Sequence, residues 1–188
     1  MGLALEGLGN LFDIGTCWAP LDLDTADGAT GKRISMLPGR TVTILFSAGA
    51  SASGDVTLDI QQHTAYTGGT TKDLDSDPST GVVGSYGIDH YYTKSETLLD
   101  NDEPWVRVTQ AEASEVTLLA ATYATTQKLV AIEVTAGQLA EGYTHISVAC
   151  TATSTAQLSS CIYIVSGLRY PRRADRLQNL LRPGAANA

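Results

Sequence analysis

The chain has 188 residues, enough for one domain with its own core and cramped for two. Only 17% of residues are charged and the formal net charge is -8, which argues against a general binder of phosphate backbones. No stretch approaches the ~18 apolar residues of a membrane span, and the opening "MGLALEGLGNLF" lacks the basic region and apolar run of a signal peptide, so a soluble, non-exported protein is expected.

Residues 1–40 read as an irregular N-terminal arm, punctuated by glycines and ending in an "LPGR" turn, with Phe12 and Trp18 as its anchors on this subunit or another. A β-sandwich domain is expected over 41–170. In "TVTILFS" Val42, Ile44 and Phe46 alternate with Thr43, Leu45 and Ser47; in "DVTLDIQQ" Val56, Leu58 and Ile60 alternate with Thr57, Asp59 and Gln61. Period-2 alternation predicts half-buried strands, and the small-residue "AGASASG" between them predicts an antiparallel hairpin.

Residues 66–104 are rich in Gly, Asp, Ser and Pro, with short strands expected around Gly81–Ile88 and His90–Lys94 and a surface excursion between Thr67 and Thr80. Strands are again predicted in "WVRVTQ", "KLVAIEVT" (Val130, Ile132 and Val134 inward) and "THISVACT" (Ile146, Val148 and Cys150 on one face). "LSSCIYIVSG" is apolar on both faces near Ile162 to Val165, as in a central strand or one covered by a neighbouring subunit. "SEVTLLAATYATTQ" fits a strand near Val116 to Ala120, with a short helix as the other reading. Seven to nine strands with almost no helix before residue 172 make the expected fold all-β, an antiparallel β-sandwich or jelly roll.

Residues 171–188 form a separate electrostatic object, a basic amphipathic C-terminal tail. They hold four Arg against one Asp, leaving 8 basic and 19 acidic side chains in the rest of the chain. "RRADRLQNLLR" places Leu177, Leu180 and Leu181 on one face of a short helix flanked by Arg172, Arg173, Arg176 and Arg182, and Pro183 and Gly184 stop it. A helix of about ten residues is marginal alone in water, so it needs a surface, on its own domain or on an acidic neighbouring subunit.

Candidate chemistry is sparse. Asp73, Asp75 and Asp77 have the i, i+2, i+4 spacing that opens a calcium loop, but Pro78 and Gly84 stand where the EF-hand pattern needs Gly and Glu, so a solvated acidic loop is expected. There is no G-x-S-x-G elbow, and His63, His90 and His145 supply a base only if the fold gathers them; His145 reads as a surface or interface residue. Cys17, Cys150 and Cys161 form no CxxC pair and no ligand-like spacing with histidine, which suggests reduced, mostly buried thiols. Tyr86, Tyr91, Tyr92 and Trp105 make either a stacking patch or, the favoured reading, a set in which Tyr91 or Tyr92 and Trp105 cap the core. No enzymatic role, metal or cofactor is expected from these residues.

The stretches "TILFSAGASASGDVTLDIQQHTAYTGG", "HYYTKSETLLDNDEPWVRVTQ" and "THISVACTATSTAQLSSCIYIVSGLRYP" resemble virion structural proteins of tailed bacteriophages, most closely capsid decoration (cement) proteins with a jelly-roll-like β-sandwich. The resemblance is one of general pattern without a signature motif, so it transfers no site residues. It implies a non-enzymatic protein made in the host bacterial cytoplasm and carried in the virion. Such a protein binds the major capsid protein or other virion subunits in many copies, as a homo-oligomer, without nucleic acid or membrane. The alternatives are a carbohydrate- or receptor-binding β-module, with the tyrosines as its platform, and another phage head or tail component.

Overall fold

The computed structural model describes residues 7–51, 54–74 and 86–169. Twelve strands follow in chain order: β1 (Phe12–Asp22), β2 (Ala29–Thr30), β3 (Ile34–Ser35), β4 (Thr41–Ala48), β5 (Val56–His63), β6 (Thr71–Asp73), β7 (Ile88–Glu96), β8 (Val106–Ala113), β9 (Glu115–Leu118), β10 (Gln127–Thr135), β11 (His145–Cys150) and β12 (Leu158–Ser166). All pairings between them are antiparallel. One sheet has the order β1-β12-β4-β10-β7-β8; the other has β2-β11-β5-β6, with β3 also on β11 and β9 also on β5.

The two sheets enclose the core as a sandwich. Val42, Ile44 and Phe46 of β4 meet Val130, Ile132 and Val134 of β10 and Cys161, Tyr163 and Val165 of β12 on the inner face of the six-stranded sheet. Leu58 and Ile60 of β5 and Ile146 and Val148 of β11 face them from the second sheet, and all are fully buried. The expected alternation in these four strands is therefore the alternation of the pleat. "SEVTLLAATYATTQ" satisfies both of its readings in turn, with β9 followed by a single-turn helix at Ala120–Tyr123.

Several expectations are corrected. The irregular arm contains β1, an eleven-residue strand hydrogen-bonded to β12. Its inward positions include Asp13, Gly15 and Cys17, so the pleat carries no run of large apolar residues to announce it, and Pro20 is tolerated because β1 is an edge strand. The β4 and β5 strands do not form a hairpin: they lie in different sheets. Alternation tells which face of a strand is buried, but not which strand lies beside it. Within the expected excursion 67–80, β6 pairs with β5 and Leu74 is fully buried. The helical tail, with Arg172, Arg173, Arg176, Leu177, Leu180 and Leu181, lies outside the described residues, as do Asp75 and Asp77.

Candidate interaction surface

The outer face of the six-stranded sheet follows from strand register. One cross-strand row runs Thr16, Ile162, Leu45, Ala131, Tyr92 and Arg107. A second runs Ile14, Ile164, Thr43 and Glu133, and a third Ser160, Ser47, Leu129 and Lys94. Ile162, Ile164, Leu45, Leu129, Ala131 and Tyr92 are half-buried by their neighbours, and Ile14 is exposed. Among the described residues helix occurs only in single turns, none long enough to cover six strands.

The result is a broad β surface whose charges, Glu133, Lys94, Glu96 and Arg107, lie on β10, β7 and β8. Soluble monomers seldom expose contiguous apolar patches of this kind beyond a few hundred Å², so such a face is a candidate for contact with other protein. At one margin Leu11 and Ile14 stand exposed on and beside the edge strand β1; at the other Leu98, Trp105 and Val106 stand exposed beside and on β8, with the Lys94 ammonium 5.4 Å from the Trp105 ring centre. Among the described residues no strand pairs with the outer side of β1 or β8, and Lys32 N–H donates to Cys17 O on β1; a sheet edge is the usual template for adding strands.

Polar chemistry gathers instead on the outer face of the second sheet. His63 and His145 are cross-strand partners. The His63 Nε2 lies 2.7 Å from Ser147 Oγ and its Nδ1 2.8 Å from Thr71 Oγ1. Arg33 donates to Thr71 Oγ1 and to the carbonyls of Ala65 and Gly68, closing the 64–70 turn over the histidines. Burial, then the charge of Arg33 and then His145, lower the His63 pKa to about 4. A neutral imidazole with both nitrogens tied to hydroxyls works as a clamp joining β5, β6 and β11, and Thr71 stands where a catalytic dyad would need an orienting carboxylate.

Beside this clamp a shallow cleft of about 200 Å³ is lined by Gly15, Thr16, Lys32, Arg33, Ile34, Tyr66 and Tyr163. Asp59 lies on the same outer face as the clamp. Burial and the nearby Asp73 and Glu115 carboxylates push its pKa up to about 6.

The residues singled out from sequence fall as follows. Trp18 is 5% exposed, packs against Phe46 and donates Nε1–H to Ser159 Oγ; it is a core residue of this domain, and Phe12 is half-buried at the start of β1. His145 is buried rather than at the surface, covered by the edge of Tyr66 and hydrogen-bonded to Thr144. Tyr91 enters the core while Tyr92, one pleat over, faces outward; Trp105 is 46% exposed and does not cap the core. Cys17, Cys150 and Cys161 are free and buried. Of the outer face, sequence reasoning had one signal, the apolar character of both faces of β12. The rows themselves needed the register. No protein-family model, curated protein or solved structure matches the chain.

Proposed function

We propose that the protein is a non-enzymatic structural component of a tailed-phage virion, bound in many copies to the capsid shell as a decoration protein and joining neighbouring subunits. The observation that carries the reading is the aliphatic outer face of the six-stranded sheet, bounded by the edge strands β1 and β8. An aliphatic, nearly neutral face suits repeated docking on a lattice, where many modest contacts favour the assembled shell by mass action. The sequence resemblance points the same way, and the basic tail supplies a second contact for an acidic neighbour. The carbohydrate-platform alternative loses Tyr91, which is buried in the core.

The test is binding of the purified chain to undecorated shells of the particle that encodes it, with Leu45→Lys and Ile162→Lys combined. Both side chains point outward and are half-buried, so the variant is expected to fold and to lose shell binding or self-association by tenfold or more. Undiminished binding by the folded variant would remove this face from the proposal, and absence of the protein from purified particles would overturn the proposal itself.

A further inference from the structure

The connection from β7 to β8 brings three carboxylates together. Glu96 ends β7, and Asp102 and Glu103 lie in the following "LLDNDEPW" loop; one ligand oxygen from each lies within 4.8 Å of the other two. Glu96 and Asp102 are exposed, whereas Glu103 is only 9% exposed. Its Oε1 accepts the Asp100 N–H at 2.8 Å, and its Oε2 is buried without any hydrogen-bond donor. None of the three is paired with Lys, Arg or His among the described residues. Lys94, two residues before Glu96, is placed over the Trp105 ring.

A buried carboxylate oxygen with no donor, on a residue gathered with two further carboxylates, is unfavourable as an anion, and a cation shared by the three offsets that cost. We infer that Glu96, Asp102 and Glu103 form a binding site for a hard divalent cation, calcium in particular. The donors are all oxygen, with no His or Cys in the group, which disfavours zinc and copper. Calcium binds oxygen at about 2.3–2.6 Å in irregular, flexible geometry, which suits carboxylates gathered on a loop. Magnesium demands about 2.0–2.1 Å, a near-ideal octahedron and the loss of tightly held water, which suits such a loop less well. The two exposed carboxylates leave room for water to complete the shell.

The loop backbone is already shaped for this convergence. Asn101 takes a left-handed conformation (φ 79°), and the Leu99 N–H is held by Gln127 Oε1 from the neighbouring strand. A bound ion would therefore fasten the β7 end to the loop that presents Leu98 and Trp105. This site is independent of the proposed role of the outer sheet face.

The experiment is calorimetric titration of the EDTA-treated full chain with CaCl2 and, separately, MgCl2 at constant ionic strength, alongside Glu103→Gln and Asp102→Asn. The wild type is expected to show one saturable calcium site with a dissociation constant on the order of 10⁻⁴ M. Both variants should bind at least tenfold more weakly while melting in EDTA at or above the wild-type temperature. No saturable binding, unchanged affinity in the variants, or equal affinity for magnesium would each overturn the assignment. Asp102 is exposed, so Asp102→Asn decides the matter even where Glu103→Gln fails to fold.

Discussion

Lys128 sits on β10 with its side chain turned into the sandwich and only 1% exposed. Its ammonium donates to the carbonyls of Gly49 (3.2 Å), Tyr123 (2.9 Å) and Thr126 (3.3 Å), and burial lowers its pKa from 10.5 to about 8. Because the folded value lies below the unfolded one, the unfolded chain keeps this proton between those two values after the folded chain has lost it. Stability therefore rises with pH through that window, by about 2 kcal/mol from about pH 7 to about pH 9.5. Lys128→Met abolishes this titration. It leaves Gly49 O with the Gln157 amide at 2.9 Å and Tyr123 O with the Thr126 hydroxyl at 3.1 Å, so Thr126 O loses the donor that matters most. An orphaned, half-buried carbonyl costs at most about 1–3 kcal/mol, partly offset because an ammonium is no longer buried. Urea unfolding of both proteins at the two pH values measures the difference, in which thiols and tyrosines common to both cancel. The wild-type advantage is expected to grow by about 2 kcal/mol at the higher pH; parallel stabilities would refute the buried, pKa-lowered ammonium.

Gly31→Ala should destabilise by more than ~2 kcal/mol, since the added Cβ collides with Cys17 Sγ and lies 2.5 Å from the Val148 carbonyl oxygen, which Gly31 N–H itself binds; a thermal melt unchanged within error would contradict this close approach. For His63 the folded pKa of about 4 lies below the ordinary 6.5, so the stability of its neutral form is present above 6.5 and lost as pH falls toward 4. Relative to His63→Gln, the wild type should lose about 2 kcal/mol between about pH 7 and about pH 4.5 in denaturant titrations, and equal pH slopes would show that the imidazole is not held neutral. Taking the difference between the two proteins removes the opposing contribution of Asp59, whose raised pKa makes acid protonation favour the fold.

Strands that bury one aliphatic face were legible in the sequence: the inward triplets of β4, β5, β10 and β11 are the ones alternation picks out. What alternation lacks is partnership. Nothing in "TVTILFS" and "DVTLDIQQ" distinguishes a hairpin from two strands in opposite sheets, because both arrangements bury the same side chains. The β1 strand escaped because burial there falls on Asp13, Gly15 and Cys17, which fit beneath Tyr163 and its neighbours by size rather than by hydropathy. The outer aliphatic rows are built from Leu45, Leu129, Ile162 and Ile164, each of which looks in its own strand like an imperfection in the polar face. Only the register makes them adjacent. The carboxylates of the β7–β8 loop were likewise invisible as a group, since their convergence depends on where a strand ends and on a left-handed Asn101, and the sequence drew attention to a different acidic run.

The position of β12 has a consequence for synthesis. Among the described residues this strand is the last, and it lies between β1 and β4, two of the earliest, so those two cannot find their shared partner until residues 158–166 have been made. On the ribosome the nascent chain must carry β1, and one side of β4, without that partner until then. The order of emergence thus sets a late, nearly all-or-none closure of the larger sheet, with slow folding and a period of vulnerability to self-association that ends only as the final strand slides into place.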